Sequence, residues 1–204
     1  MYKFFKRTFD LCASLLLLIV ISPVFMVLMV LVRFKLGSPI FFRQTRTGKD
    51  MTDFELIKFR TMTDERDENG KLLPDHLRLT KLGRFLRNSS LDELPELLNI
   101  IRGDMAVIGP RPLRPKYNPY YKQNEMPRFN VRGGLIPPES LYGDSFLTWD
   151  KQLQYEADYA NNLSFILDLK ILMSVFKTMF LRTKKDYGEY ERDSLDVERS
   201  NNKI

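Results

Sequence analysis

From Leu11 to Val32 no side chain is charged, and the run is almost wholly Leu, Ile, Val, Met and Phe. As a helix rising about 1.5 Å per residue it would extend roughly 33 Å, enough to cross a hydrocarbon core of about 30 Å. Ser22-Pro23 stands at its centre. A proline there removes a backbone donor and crowds the preceding turn, so the pattern predicts a kink or break. Both flanks are basic: Lys3, Lys6 and Arg7 before the run, and Arg33, Lys35, Arg43 and Arg46 after it. Positive charge on both sides favours both ends on the cytoplasmic face. The residues alone leave three topologies open: a kinked single span, a helix that enters and leaves on one face, and a buried core helix.

Beyond residue 36 the pattern turns polar and broken. Gly37-Ser38-Pro39 reads as a turn, and Ile40-Phe41-Phe42 and Phe54-Glu55-Leu56-Ile57 read as short strands. Residues 63–76 form a polar loop. Residues 77–87 alternate basic and apolar positions as an amphipathic helix would. Residues 90–101 predict another helix, and Pro95, tolerated only in a first turn, places its start near Ser90–Glu93. Gly103 supplies its stop. Residues 108–138, rich in Pro, Gly and Arg, predict irregular structure, and 149–163 a helix. Residues 164–182 are apolar but carry Asp168 and Lys170 early, which suits a helix lying in the membrane interface better than a second span. The expected class is α/β and mostly helical, with a small strand element. The expected organisation is a membrane helix over 1–36, a domain over 37–183, and a mixed-charge disordered tail over 184–204.

Composition narrows the partners. The chain has 204 residues, net charge +6 and a single cysteine and histidine. A basic chain suits anionic lipid headgroups or phosphorylated substrates. No nucleic-acid motif is present, and the aromatics are not interleaved with basic residues as in a stacking platform. Cys12 and His76 exclude an internal disulfide and a Cys/His metal cluster.

Asp92-Glu93 is the leading candidate for chemistry. Adjacent carboxylates at a helix N-terminus feel the positive end of the macrodipole, which favours their ionised forms. One can attack an electrophilic phosphorus while the other holds a divalent cation. Helix capping explains the same residues equally simply. Lys58, Arg60, Arg84, Arg87 and Arg111 supply cations for phosphate oxygens. Arg111, set rigidly in Gly109-Pro110-Arg111-Pro112, is the least like a random surface charge.

Lys58-Phe59-Arg60-Thr61-Met62, Arg87 through Pro95, Gly103-Asp104-Met105 and Gly109-Pro110-Arg111-Pro112, in that order and spacing, resemble the bacterial sugar transferase family, the monotopic phosphoglycosyl transferases. The resemblance runs from residue 1 to about 182, and by size it is to the minimal catalytic-core members. It implies a monotopic protein on the cytoplasmic face of the bacterial plasma membrane, with a re-entrant helix broken at Ser22-Pro23. It implies transfer of a sugar phosphate from a UDP-sugar to undecaprenyl phosphate, with Mg2+, through a phosphosugar adduct on Asp92. Glu93 would hold the cation. Lys58, Arg60, Arg87, Arg111 and Arg132 would bind the phosphates and the nucleotide sugar. Asp168 resembles another acidic position of the family, a further candidate for the metal. Membrane phospholipids are implied partners; the sugar and the oligomeric state are left open.

One stretch departs from the family. Where an Arg-Pro-Gly-(Ile/Leu)-Thr-Gly core is usual, this chain reads Val131-Arg132-Gly133-Gly134-Leu135-Ile136-Pro137-Pro138, and Asp144 stands where a positive residue is expected. Two non-catalytic readings therefore stay open at this point: a relative that only binds nucleotide sugar or lipid phosphate, and a basic membrane adaptor.

Overall fold

The computed structural model describes residues 2–142, 147–180 and 192–201. The chain is mostly helical with a small strand element, as its pattern predicts. One long helix, α1 (Tyr2–Leu36), runs through Pro23 without being split in two. The expected break at Ser22-Pro23 is therefore not a gap in the helix, and Ser22 Oγ donates to the Ile19 carbonyl at 2.8 Å.

The side chains of α1 fall into two populations. Lys6, Asp10, Ser14, Leu28, Val32 and Leu36 are buried, and Leu18, Ile21, Phe25 and Met29 pack against the core between them. Spacings of three and four residues put this set on one stripe of the helix. The opposite face leaves Leu16, Ile19, Val20, Val27 and Phe34 exposed. Both ends of α1 are tied to the same body. Arg7 donates to the carbonyls of Ile100 and Ile101 at 2.6 and 2.9 Å, and Leu28, Val32 and Leu36 join a core cluster with Phe59 and Leu86. Each such fully buried side chain contributes about 1.5–3 kcal/mol.

Two strands follow, β1 (Phe41–Thr47) and β2 (Asp53–Phe59), paired antiparallel with Phe42 opposite Lys58 and Gln44 opposite Leu56. Their alternation is decisive for the site. Phe41 and Phe59 stack on one face, against Phe25 of α1. Phe42, Gln44, Arg46, Leu56, Lys58 and Arg60, on the other, line a cleft.

The helix expected over 77–87 is two. α2 (Asp75–Arg78) ends before Thr80, whose side chain accepts the Gly83 N–H at 2.9 Å and starts α3 (Lys81–Asn88) afresh. Gly83 is required there, since a Cβ would stand 1.8 Å from the Thr61 carbonyl oxygen. The helix expected over 90–101 also divides: Leu91–Glu93 form a 3-10 turn, and α4 (Glu96–Arg102) begins after Pro95. Gly103 ends it with φ 100°, as expected.

The stretch read as irregular, 108–138, holds two 3-10 segments and a strand, β4 (Gly133–Ile136), which pairs in parallel with β3 (Met105–Ile108) at its start. The pair was illegible because its strands are four residues long and meet across glycines. A Cβ on Gly134 would lie 2.0 Å from the Gly109 nitrogen. Then come α5 (Trp149–Asn161) and α6 (Phe165–Phe180), close to expectation, the latter exposing Phe165, Ile166, Leu169 and Met173. Part of the expected disordered tail is folded. α7 (Leu195–Asn201) buries Leu195, and Arg199 pairs with Glu125 at 2.6 Å and Asp150 at 2.7 Å. Its mixed charge conceals an anchor made of one leucine and one arginine.

Candidate active site

The 3-10 turn carrying Asp92 is set by what precedes it. α3 ends at Asn88 and Ser90 takes a left-handed conformation, φ 55°, a strain of about 1–2 kcal/mol for a residue with a Cβ. The chain thereby reverses and delivers Asp92 and Glu93 into a cleft of about 970 Å³. Lys58, Arg60, Arg87 and Arg111 line the same cleft. Six of the expected site residues thus come together from four segments of chain.

Glu93 is the hub. Its Oε1 accepts from Lys58 Nζ at 2.5 Å and from Arg111 Nη2 at 3.4 Å. Lys58 also lies 3.2 Å from Glu96 Oε1, a carboxylate that sequence reasoning passed over. Glu96 is 4% exposed. Burial is the main reason its pKa is pushed up to about 7; Lys58 opposes the rise and Glu93 adds to it. Asn99, wholly buried, explains the placement. It accepts from the Ile57 N–H at 3.0 Å and donates to the Glu55 carbonyl at 2.7 Å, which clamps α4 to β2 and sets Glu96 under Lys58.

Asp92 differs from both. It is 8% exposed, and among the described residues no side chain donates a hydrogen bond to it. Burial raises its pKa, with Lys58 opposing and Glu93 adding. The helix-dipole argument predicts the opposite direction; it fails because α4 begins four residues later, so Asp92 is in a desolvated turn and not in the helix's first turn.

The cations divide by role. Arg87 donates Nε to Thr61 Oγ1 at 3.1 Å and is otherwise turned to solvent. Arg111 is held by its backbone: Glu156 on α5 accepts its N–H at 3.1 Å, and Arg128, paired with Glu156 at 2.7 Å, donates to its carbonyl at 2.7 Å. Arg60, 8% exposed, spends its guanidinium on the Met62 and Ser38 carbonyls and Asp64, so it shapes the wall. Arg46, read from sequence only as part of the basic flank of the apolar run, and Arg114, not singled out at all, also line the cleft. Burial, then the neighbouring charges of Arg114 and Arg111, lower the Arg46 pKa, the mark of crowded positive charge that an anion would relieve. The strand alternation that puts Lys58 in the cleft could have flagged Arg46.

Two expected residues lie elsewhere. Arg132 donates to the Gly103 carbonyl at 2.6 Å and lines a separate pocket beside α1. Asp168 stands outside the cleft, where Tyr2, Lys6 and Tyr159 donate to its two oxygens at 2.5, 2.7 and 2.7 Å. It fastens α6 to α1. Asp144 lies outside the described residues.

The bacterial sugar transferase family profile matches residues 1–182. The chain belongs to this family. An uncharacterised sugar transferase of Bacillus subtilis, EpsL, is 47% identical over 167 residues, covering 82% of this chain and 83% of that protein. The exopolysaccharide production protein ExoY of Rhizobium meliloti is 34% identical over 191 residues, covering 85% and 83%. A UDP-glucose:undecaprenyl-phosphate glucose-1-phosphate transferase of Klebsiella pneumoniae is 37% identical over 184 residues, covering 85% of this chain and 40% of that longer protein.

Proposed function

We propose that this sugar transferase moves a sugar phosphate from a UDP-sugar to undecaprenyl phosphate. A carboxylate oxygen of Asp92 attacks the sugar-side phosphorus of the UDP-sugar. The bond to the bridging oxygen breaks, and UMP leaves with its electron pair. A phosphate oxygen of the lipid then attacks the same phosphorus, the Asp92–phosphorus bond breaks, and undecaprenyl-diphospho-sugar departs with the carboxylate restored. Lys58, Arg87, Arg111, Arg46 and Arg114 balance phosphate charge within the cleft. The observation that carries this reading is Asp92 itself: nearly buried, without a side-chain donor among the described residues, and in a cleft lined by cations that an anionic substrate would satisfy.

The cleft's donor set fits Mg2+. That ion is commonly held by one or two carboxylates together with substrate phosphates and water, with no dedicated cage. Among the described residues no group of three acidic, His or Cys side chains is gathered, so Asp92-Glu93 is the pair that would hold it. Bound there, it would neutralise diphosphate charge.

The tethering of both ends of α1 to one body supports a monotopic placement. A helix crossing the bilayer would have to leave that body on both sides or inside the hydrocarbon. With basic flanks at both ends, the body sits on the cytoplasmic face, and the exposed faces of α1 and α6 contact membrane phospholipids.

The test is UMP release from a panel of UDP-sugars with Mg2+ and undecaprenyl phosphate. Release with at least one sugar, and a phosphosugar adduct that builds up when the lipid is withheld, is the expected result. No release with any sugar would sink the proposal.

A further inference from the structure

A second concentration of positive charge lies outside the cleft. The first turns of α1 present Lys3, Lys6 and Arg7 to a pocket of about 110 Å³, whose far wall carries Lys49 and Arg132. Asp10 is the one acidic residue lining it. At about 30 Å³ per water, the pocket holds roughly four waters, the size of a single phosphate group. Not all of this charge is committed. Lys6 is paired with Asp168, and Arg7 and Arg132 are bonded to carbonyls. Lys3 is exposed and no partner is recorded for it among the described residues, and Lys49 meets only the exposed Asp50, at 3.1 Å. Five cations and one carboxylate line the pocket, and even with Asp168 and Asp50 counted from outside it positive charge is in excess.

What surrounds the pocket names the source of an anion. Phe4, Phe5 and Phe9 are 60–76% exposed on the adjoining faces of α1. Leu163 lines the pocket, and just beyond it α6 begins with Phe165 and Ile166 exposed. Tyr2 joins the two helices, its ring against Phe165 and its hydroxyl on Asp168. A cationic recess rimmed by exposed aromatic and aliphatic side chains matches a phospholipid, with its phosphate in the recess and its chains along the apolar rim.

We propose that this pocket binds the phosphate of an anionic membrane phospholipid and fixes the height and tilt of the sugar transferase at the bilayer surface. The inference rests on the monotopic reading of α1 above. The site is separate from the cleft: none of its lining residues lines the cavity around Asp92.

The experiment uses the full chain and the variant Lys3→Gln/Lys49→Gln, with Lys116→Gln/Lys151→Gln as a control of equal charge. Both are floated with vesicles of phosphatidylcholine alone and of phosphatidylcholine mixed with phosphatidylglycerol. The expected result is a roughly ten- to thirtyfold loss of binding to the mixed vesicles for the pocket variant only, from about 1 kcal/mol per cation. UMP release in detergent should not change. Equal losses in variant and control would mean diffuse attraction and overturn the site. Wild-type protein that floats equally on both vesicles would also overturn it while leaving the monotopic reading intact; failure to float on either would sink that reading. A titration followed by phosphorus NMR, with dihexanoyl-phosphatidylglycerol below its micelle concentration or with inorganic phosphate, distinguishes the occupant. Saturable binding of the lipid, lost in the pocket variant, supports the proposal. Equal binding of inorganic phosphate would make the ligand a free anion and overturn the lipid assignment.

Discussion

Asp92 and Asp168 are equally exposed, 8% each, and each feels the charge of a lysine, yet their surroundings are opposite. Asp168 receives three donors, two of them tyrosine hydroxyls, and has nothing left to give. Asp92 has no side-chain donor among the described residues; Lys58 bonds its neighbours Glu93 and Glu96 instead. A buried carboxylate whose oxygens are saturated is a fastener. One kept desolvated and short of donors keeps its lone pairs free, which is what a nucleophilic role would need.

Substitutions can break that contrast. Asp92→Asn should lower UMP release by about 10⁴-fold or more and abolish the adduct, as expected for loss of a nucleophile, with little change in melting temperature. Retained adduct formation would remove Asp92 from the role. Asp168→Asn should do the reverse. It leaves Lys6 buried with only Asp10, 3.7 Å away, and should cost about 3 kcal/mol of stability, seen in thermal melts in detergent, while the KM for UDP-sugar holds. A fall in kcat without a fall in stability would return Asp168 to the chemistry.

Glu96 sharpens the comparison, being a cleft residue that weakens the fold. Its ordinary pKa is 4.5 and burial pushes it up to about 7. Through that window the folded chain keeps a proton that the unfolded chain has lost, so stability falls as pH rises and levels off above about 7. Glu96→Gln remains neutral. Relative to the parent it should gain about 2 kcal/mol between about pH 5 and about pH 8. A pH-independent difference would show that Glu96 ionises normally. The smallest effect is expected at the periphery. Arg199→Ala strands the buried Glu125 and should cost about 1–2 kcal/mol, with kcat and KM unchanged; altered kinetics would connect α7 to the cleft.

The sequence made the cleft more legible than its supports. Asp92, Glu93, Lys58, Arg87 and Arg111 stand in short motifs and could be read directly. Glu96 could not, because a glutamate in a helix's first turn looks ordinary until Asn99 clamps the helix beneath Lys58. The surroundings of Asp168 were hidden for the same reason: its partners Tyr2 and Lys6 lie more than 160 residues away. In α1 the uniformly apolar run concealed the buried stripe, since lipid and protein core both select Leu, Ile and Val. Only the polar members at 6, 10 and 14, four residues apart, betray it.

The stripe also sets a schedule. α1 is made before every residue that holds its buried stripe. Arg7 waits for the carbonyls of residues 100 and 101, and Lys6 for Asp168, almost at the end of the fold. Until those partners are made the two charges stay unpaired, so α1 is made ahead of its supports and is among the last elements to be locked.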